Sequence, residues 1–309
     1  MTDATGIVRV VCAQLSPVLG ELAGNQDRVL AAVCSARADR ADVVVLPELA
    51  TSGYVFQSSE EAASVALAAD DAFFGRVAEL LAGTNSIVVV GFCERGPGST
   101  LWNGAALIDR SGVVTVYRKT HLWDRETLVF TPGQDPAPIV ETVHGRIGIL
   151  ICYDLEFAEM PRALAIAGAD LIAVPTNWPS GEHPSDERAA EVIYAQAAAR
   201  SNGVFIACCD RAGVERGQAW TEGSVIVDQF GWVCAAATSG GRAGPGESGV
   251  GESRVGESGV GESSARDPAL PVPTARADVF PRLARDKSIS PHNDLLGDRR
   301  PELYARGQK

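Results

Sequence analysis

Runs of apolar, often β-branched residues alternate along the chain with segments whose apolar positions recur every three to four residues. The first pattern predicts strands and the second predicts helices. The predicted strands are residues 8–13, 43–46, 87–92, 105–109, 113–118, 148–152, 171–174, 204–209, 224–227, 232–236 and 275–279. The predicted helices are residues 25–38, 70–81, 162–167 and 186–200. This alternation predicts a layered α/β fold with extensive sheet.

The strand predicted at residues 148–152 ends in a thiol, Cys152, where the sequence turns abruptly polar. A strand that ends in a reactive group and runs into a helix holds that group at the edge of the core, within reach of the helix N–H groups. A free cysteine is also among the most buried residue types, and the chain has seven. Position alone therefore leaves two interpretations of Cys152, a nucleophile and a small core residue.

Two ionisable residues follow other predicted strands and are candidate partners of this thiol. Glu48 comes directly after an apolar strand, and Lys119 stands at the end of a predicted hairpin. A thiol that attacks a carboxylic acid derivative needs a base, a positive or N–H-rich site for the oxyanion, and a proton donor for the leaving amine. Taken singly, Glu48 could equally cap a loop and Lys119 could protect a strand edge.

Composition excludes several other classes of function. The 309 residues include 27 basic and 39 acidic side chains, for a formal net charge of −12, so neither nucleic acid nor a membrane surface is an expected partner. The N-terminus has no signal-peptide pattern, and no apolar run approaches about 18 residues. The odd number of cysteines and the absence of zinc spacing predict reduced thiols, no metal and no cofactor. We therefore expect a cytoplasmic protein that acts on a small molecule.

One segment differs from the rest in composition. Four pentads begin with Gly-Glu-Ser, at positions 246, 251, 256 and 261, and they contain almost no apolar mass. Such a segment cannot bury enough surface to fold, so we predict a disordered surface insertion at about residues 239–268 in a single domain of residues 1–309. A short solenoid or an acidic interaction tag is the alternative, but four units without large apolar side chains cannot stack a core.

Several short motifs follow one another along the chain in a fixed order. They are Pro47-Glu48 with Gly53-Tyr54, Arg118-Lys119-Thr120-His121-Leu122, Phe130-Thr131-Pro132-Gly133, Cys152-Tyr153-Asp154 with Glu159, and Asp298-Arg299-Arg300-Pro301-Glu302. Each is weak alone, but the ordered set covers nearly the whole chain and resembles the nitrilase superfamily of carbon–nitrogen hydrolases. The resemblance implies a four-layer α-β-β-α sandwich that commonly pairs through its helices. We therefore expect a homodimer or a higher homo-oligomer.

The resemblance also implies roles for the candidate site residues. Glu48 is expected to be the general base, Lys119 the oxyanion stabiliser and Cys152 the nucleophile, with Glu126 as a second glutamate beside this triad. The backbone N–H of Tyr153 is expected to share the oxyanion. The candidate substrate-side residues are Tyr54, Trp123, Glu156, Asn177 and Trp178. Among these, Glu156 is the candidate partner of a cationic amino group on the substrate.

The residue after the nucleophile favours one branch of the superfamily. True nitrilases commonly carry tryptophan there, whereas Tyr153 and the residues that follow it resemble amidases acting on small aliphatic or amino-acid-derived amides. The expected reaction converts an amide to an acid and ammonia through a thioester acyl-enzyme. A nitrile or N-carbamoyl hydrolase on the same fold is the first alternative, and a non-catalytic interaction protein is the second.

Overall fold

The computed structural model describes residues 6–237 and 272–304. Its strands are β1 (Val8–Ala13), β2 (Val43–Val45), β3 (Ile87–Arg95), β4 (Leu101–Asp109), β5 (Gly112–Arg118), β6 (Ile139–Thr142), β7 (Gly145–Ile149), β8 (Leu171–Pro175), β9 (Phe205–Cys209), β10 (Val214–Glu215), β11 (Gln218–Ala219), β12 (Val225–Val227), β13 (Val233–Ala236), β14 (Thr274–Val279), β15 (Ser288–Ser290) and β16 (Asn293–Asp294). Its α-helices are α1 (Leu22–Ala38), α2 (Ser59–Ser64), α3 (Ala72–Leu80), α4 (Glu159–Ile166), α5 (Ala190–Asn202) and α6 (Pro301–Tyr304). Short 3-10 helices span Asp124–Leu128, Cys152–Glu156 and Pro281–Arg285.

Two six-stranded mixed sheets form the centre of the molecule. The strand order is β14-β1-β2-β3-β4-β5 in the first sheet and β13-β12-β9-β8-β7-β6 in the second. In the first sheet β1, β2 and β3 pair in parallel, and in the second β7, β8 and β9 do so, while the outer strands pair antiparallel. In each sheet the carboxyl ends of the parallel strands therefore lie side by side. Binding and catalytic residues commonly follow such strand ends.

The alternation of side chains along a strand explains how the layers stack. In β1, Val10 and Cys12 belong to the apolar cluster between the two sheets, while Val11 and Ala13 belong to the cluster that contains Val29 of α1. Helices α1 and α3 cover the first sheet, and α4 and α5 cover the second. The predicted α-β-β-α sandwich is confirmed.

The predicted elements agree with the structure in type and differ at some ends. The predicted helix at residues 186–200 begins later, at Ala190, because Ala189 has an extended backbone with ψ of 143° and residues 184–187 form a turn. The strand predicted at residues 148–152 is β7, which ends at Ile149, so Cys152 begins a 3-10 turn, and the α-helix begins only at Glu159. The predicted insertion at about residues 239–268 lies outside the described residues, and the single-domain organisation stays a prediction. No helix in the described part of the chain is long and apolar enough to cross a membrane.

Candidate active site

Glu48 lies just beyond the carboxyl end of β2, where both sheets hold its backbone. Its N–H faces the carbonyl of Thr176, which follows β8, at 3.4 Å, and the Asn177 side-chain amide donates to the Glu48 carbonyl at 3.0 Å. Strand β3 passes so close that a Cβ on Gly91 would lie 2.6 Å from the Glu48 Cα, so this position requires glycine. The Glu48 side chain is completely buried.

Lys119 follows β5 and extends its ammonium group into the same buried space. Its backbone is fixed on both sides, because its N–H donates to the Asn103 carbonyl at 2.8 Å and its carbonyl accepts from the Gly133 N–H at 2.8 Å. The Nζ atom donates to Glu48 Oε1 at 2.7 Å and to Glu126 Oε1 at 2.8 Å. A buried ammonium needs such partners, and here one cation joins two carboxylates.

Burial and the charges of this cluster shift the pKa values of Glu48 and Lys119, with different consequences near neutral pH. Burial raises the pKa of Glu48 to about 7, although the Lys119 ammonium and a hydrogen bond from Asn103 Nδ2 at 2.7 Å act against the rise. Burial lowers the pKa of Lys119, but the charges of Glu126 and Glu48 outweigh it and hold that pKa well above its usual value. Glu48 can therefore exchange a proton near neutral pH, while Lys119 stays charged.

Cys152 lies at a sharp turn between β7 and the 3-10 helix that it begins. Its φ of +47° is in the left-handed region, which a non-glycine residue rarely adopts and which is found at active sites. Burial and the Glu48 charge raise the pKa of the thiol, while Lys119 and a hydrogen bond from the Asn177 backbone act in the opposite direction. The thiol therefore carries its proton at neutral pH, and a base must remove it before it can attack.

Asp154 holds the Cys152 turn against the loop that carries Lys119. Its Oδ2 accepts from the phenol of Tyr117 at 2.9 Å and from the N–H of Ile151 at 3.2 Å. Its Oδ1 lies 2.8 Å from His121 Nδ1 and accepts from the His121 N–H at 3.0 Å. The motif Cys152-Tyr153-Asp154 indicates no function for Asp154, whereas the structure shows this residue as the link between two parts of the site.

Glu126 enters the site from the 3-10 helix Asp124–Leu128 and is buried. Its Oε1 accepts from Lys119 and from the phenol of Tyr54, and its Oε2 accepts from the N–H of Trp123 at 3.1 Å. Burial and the charge of Glu126 raise the pKa of Tyr54 well above its usual value. Tyr54 therefore stays neutral and acts as a hydrogen-bond donor to Glu126.

The remaining substrate-side candidates have different surroundings. The Tyr153 ring packs edge-on against Trp123, with ring centroids 4.8 Å apart, and Trp123 lines a cavity next to Glu126. Trp178 is buried, and its backbone N–H donates to Asp210 at 2.9 Å. Glu156 is half-buried, and burial followed by the charge of Glu191 raises its pKa. The substrate roles of these residues stay predictions.

The structure also brings in a residue that sequence reasoning missed. Asn103 is the third residue of the apolar strand β4, is buried and donates to the same Glu48 oxygen as Lys119. A polar residue in an otherwise apolar strand is the feature of the sequence that could have indicated Asn103, because a buried polar side chain needs a hydrogen-bond partner. Glu48 Oε2 has no hydrogen-bond partner within residues 6–237 and 272–304, so it is the oxygen available to exchange a proton.

The four-layer sandwich and its buried cluster of one lysine and two carboxylates beside a thiol define an amidase-like hydrolase. Residues 9–242 match the carbon–nitrogen hydrolase family, and the chain belongs to this family. Both the predicted superfamily and the predicted class of enzyme are confirmed.

Similar proteins support the same class. A nitrilase of Pyrococcus abyssi is 29% identical over 97% of this chain and 100% of its own length. An (R)-stereoselective amidase of Pseudomonas sp. is 33% identical over 73% of this chain and 79% of its own length. Among solved structures, an amidase from Nesterenkonia sp. is 26% identical with a TM-score of 0.71, and the match covers 97% of this chain and 95% of that chain.

Proposed function

We propose that Glu48, Lys119 and Cys152 hydrolyse a small amide to a carboxylic acid and ammonia, with Glu126 supporting Lys119. One observation carries the proposal: Lys119 Nζ lies 2.7 Å from Glu48 and 2.8 Å from Glu126 in a buried site whose charges act on the Cys152 thiol. Glu48, Lys119 and Cys152 thus supply a base, an oxyanion partner and a nucleophile, the three groups that acyl transfer needs.

Acylation uses these groups in sequence. Glu48 removes the proton from Sγ of Cys152 as the sulfur attacks the amide carbon, and the carbonyl electron pair moves onto oxygen. The oxyanion lies between the Lys119 ammonium and the backbone N–H of Tyr153. Glu48 then gives its proton to the amide nitrogen, the C–N bond breaks, and ammonia leaves with a thioester remaining on Cys152.

Deacylation repeats the proton transfers with water as the nucleophile. Glu48 removes a proton from water as the water oxygen attacks the thioester carbon, and the C–S bond then breaks. The sulfur of Cys152 regains the proton held by Glu48, and the acid is released. A pKa of about 7 suits Glu48 to both steps, because the group must accept and donate a proton in each cycle.

Relatives support a small amide as the substrate. A double mutant of the amidase from Nesterenkonia sp. AN1, 25% identical to this chain, is known in complex with acrylamide. Another mutant of that amidase, also 25% identical, shows covalent addition of the acetamide moiety of fluoroacetamide at its active-site cysteine. The second candidate function is nitrile hydrolysis, which the Pyrococcus abyssi nitrilase favours.

Ammonia release from a panel of amides, nitriles and N-carbamoyl compounds tests the proposal. We expect release from amides by the wild type, none by Cys152→Ala, and wild-type release by Cys34→Ala, which removes an exposed thiol of α1. Intact mass is expected to show the acyl group on the wild type and not on Cys152→Ala. Release from nitriles alone would establish the second candidate. No ammonia from any class and no adduct would leave a non-catalytic protein.

We also infer a homodimer in the cytoplasm. Exposed apolar side chains on the outer helices α4 and α5 support pairing through this layer; they are Ile166, Ile193 and Tyr194. The odd number of cysteines supports a reducing compartment. Light scattering is expected to give the mass of a dimer for the wild type and of a monomer for Ile193→Glu. The matched control Leu128→Glu, at an exposed position of another element, is expected to leave the dimer intact.

A further inference from the structure

A cavity of about 150 Å³ adjoins the Glu126 side of the site. Five aromatic side chains line it: Tyr54, Phe56, Trp123, Phe130 and Trp220. Glu126 itself also lines the cavity, and the phenol of Tyr54 donates to that carboxylate. A group bound in this space therefore lies beside Glu126, whose carboxylate contacts the Lys119 ammonium.

The aromatic walls support one another and are fixed in place before any ligand binds. Tyr54 and Trp220 meet edge to face with centroids 5.3 Å apart, and Phe56 and Phe130 do so at 6.1 Å. Trp220 is buried, and the guanidinium of Arg211 lies over its ring at 4.7 Å. Because these rings need no rearrangement, they offer a preformed apolar surface.

The size of the cavity limits what can fill it. An apolar cavity of about 150 Å³ is large enough to bind benzene. When the leaving group is ammonia, a ring of this size can belong only to the acyl part of the amide. Two carboxyl groups, of Asp124 and Glu126, and one guanidinium, of Arg125, also line the cavity, so the charge of its wall is negative on balance and opposes an anionic group.

We propose that this cavity binds the acyl side chain and that the preferred substrates are primary amides carrying an uncharged six-membered aryl ring. This inference rests on the proposed function and narrows its substrate class. Phenylacetamide is the simplest probe of it, and acetamide is the reference that leaves the cavity empty. The expected kcat/KM is at least about tenfold higher for phenylacetamide, since even one added methylene in a fitted apolar pocket gains about tenfold or more.

A pair of adjacent substitutions separates the cavity from the rest of the site. Val129 lines the cavity, whereas its neighbour Leu128 does not and is 70% exposed. With Val129→Phe, the added ring occupies the cavity, and kcat/KM for phenylacetamide is expected to fall at least about tenfold further than for acetamide. Leu128→Phe adds the same ring outside and is expected to leave the ratio of the two substrates as in the wild type.

Trp123→Ala provides a second variant should Val129→Phe not fold, because Trp123 is 41% exposed and its removal opens one wall. It is expected to lower the preference for phenylacetamide in the same way. Hydrolysis of acetamide with no preference for phenylacetamide, or equal effects of Val129→Phe and Leu128→Phe, would overturn the aryl pocket and leave the proposed function standing. Hydrolysis of neither amide, with no adduct on Cys152, would overturn both.

Discussion

Asp154 accepts a hydrogen bond from the phenol of Tyr117 at 2.9 Å, and this contact joins the two sheets at the site. Tyr117 is the penultimate residue of β5 and lies two residues before Lys119, while Asp154 lies two residues after Cys152. The distance between the proposed nucleophile and the proposed oxyanion partner therefore depends on one buried carboxylate. Asp154 is a positioning residue, because its bonds go to the scaffold and not to the cluster around Lys119.

Asp154→Asn is expected to reduce kcat by about a hundredfold with a much smaller change in KM. The amide NH2 of asparagine faces groups that are themselves donors, so the Cys152 turn shifts, and a misplacement of about 1 Å costs about that much. Steady-state kinetics measure the split between kcat and KM, and the rate of Cys152 alkylation by iodoacetamide measures the shift of the thiol directly. Tyr117→Phe removes one of these bonds and is expected to have a smaller effect. A kcat for Asp154→Asn equal to that of the wild type would contradict the positioning role.

The pKa of Glu48 predicts how activity depends on pH. The ionised carboxylate is the form that removes the thiol proton, and burial raises the pKa of Glu48 to about 7. The value of kcat/KM is therefore expected to fall tenfold per pH unit below about 7 and to level off above it. A pH profile on an uncharged amide measures this limb without titration of the substrate. A limb with its midpoint near the usual glutamate pKa, about 4.3, would contradict the assignment of Glu48 as the base.

Asn103 controls the position of that limb. Its side chain donates to Glu48 Oε1 at 2.7 Å and stabilises the ionised form, so removing it raises the pKa of Glu48 further. Asn103→Leu keeps a similar shape and is expected to move the acid limb upward by about one pH unit, since a hydrogen bond to a charged group contributes about 1.5 kcal/mol or more. A loss of activity at all pH values without a shift of the limb would indicate a structural role only.

The sequence could predict the site residues that stand directly after strands. Glu48 and Lys119 each follow a strand whose residue pattern is clear, and Cys152 closely follows another, so local pattern and motif order were sufficient to select them. The neighbours that tune them were not predictable in this way. Asn103 contacts Glu48 only because β4 and the loop after β2 come together in the folded chain, 55 residues apart. Asp154 acts through residues more than 30 positions away.

The layer arrangement was predictable for a similar physical reason. Strands buried on both faces have continuous apolar runs, and β2 and β8 show them. The start of α5 was not predictable from its alanine-rich pattern, because the turn at residues 184–187 and the extended backbone of Ala189 decide where the helix begins. The aromatic cavity was also inaccessible to pattern reading, since its walls come from segments around Tyr54, Trp123 and Trp220.

Glu215 fixes the loop that carries Tyr54 through a buried ion pair. Its Oε2 accepts from Arg211 Nη1 at 2.8 Å, both side chains are 1% exposed, and its Oε1 accepts from the N–H of Tyr54 at 2.8 Å. Glu215→Ala leaves the Arg211 charge buried without its carboxylate partner, so the free energy of unfolding is expected to fall by about 3–5 kcal/mol. Urea unfolding at pH 7 measures the loss.

A double-mutant cycle and a matched pair show whether the Glu215 effect comes from burial of the charge. The double variant Arg211→Met with Glu215→Leu removes both charges and is expected to lose much less stability than the sum of the losses from Arg211→Met alone and from Glu215→Leu alone. Glu61 forms an ion pair with the neighbouring Arg216, but their side chains are 28% and 34% exposed. Glu61→Ala is therefore expected to cost about 1 kcal/mol or less, since solvent screens an exposed pair. Equal losses for Glu215→Ala and Glu61→Ala, or additive losses in the cycle, would show that the Glu215 effect does not come from an unpartnered buried charge.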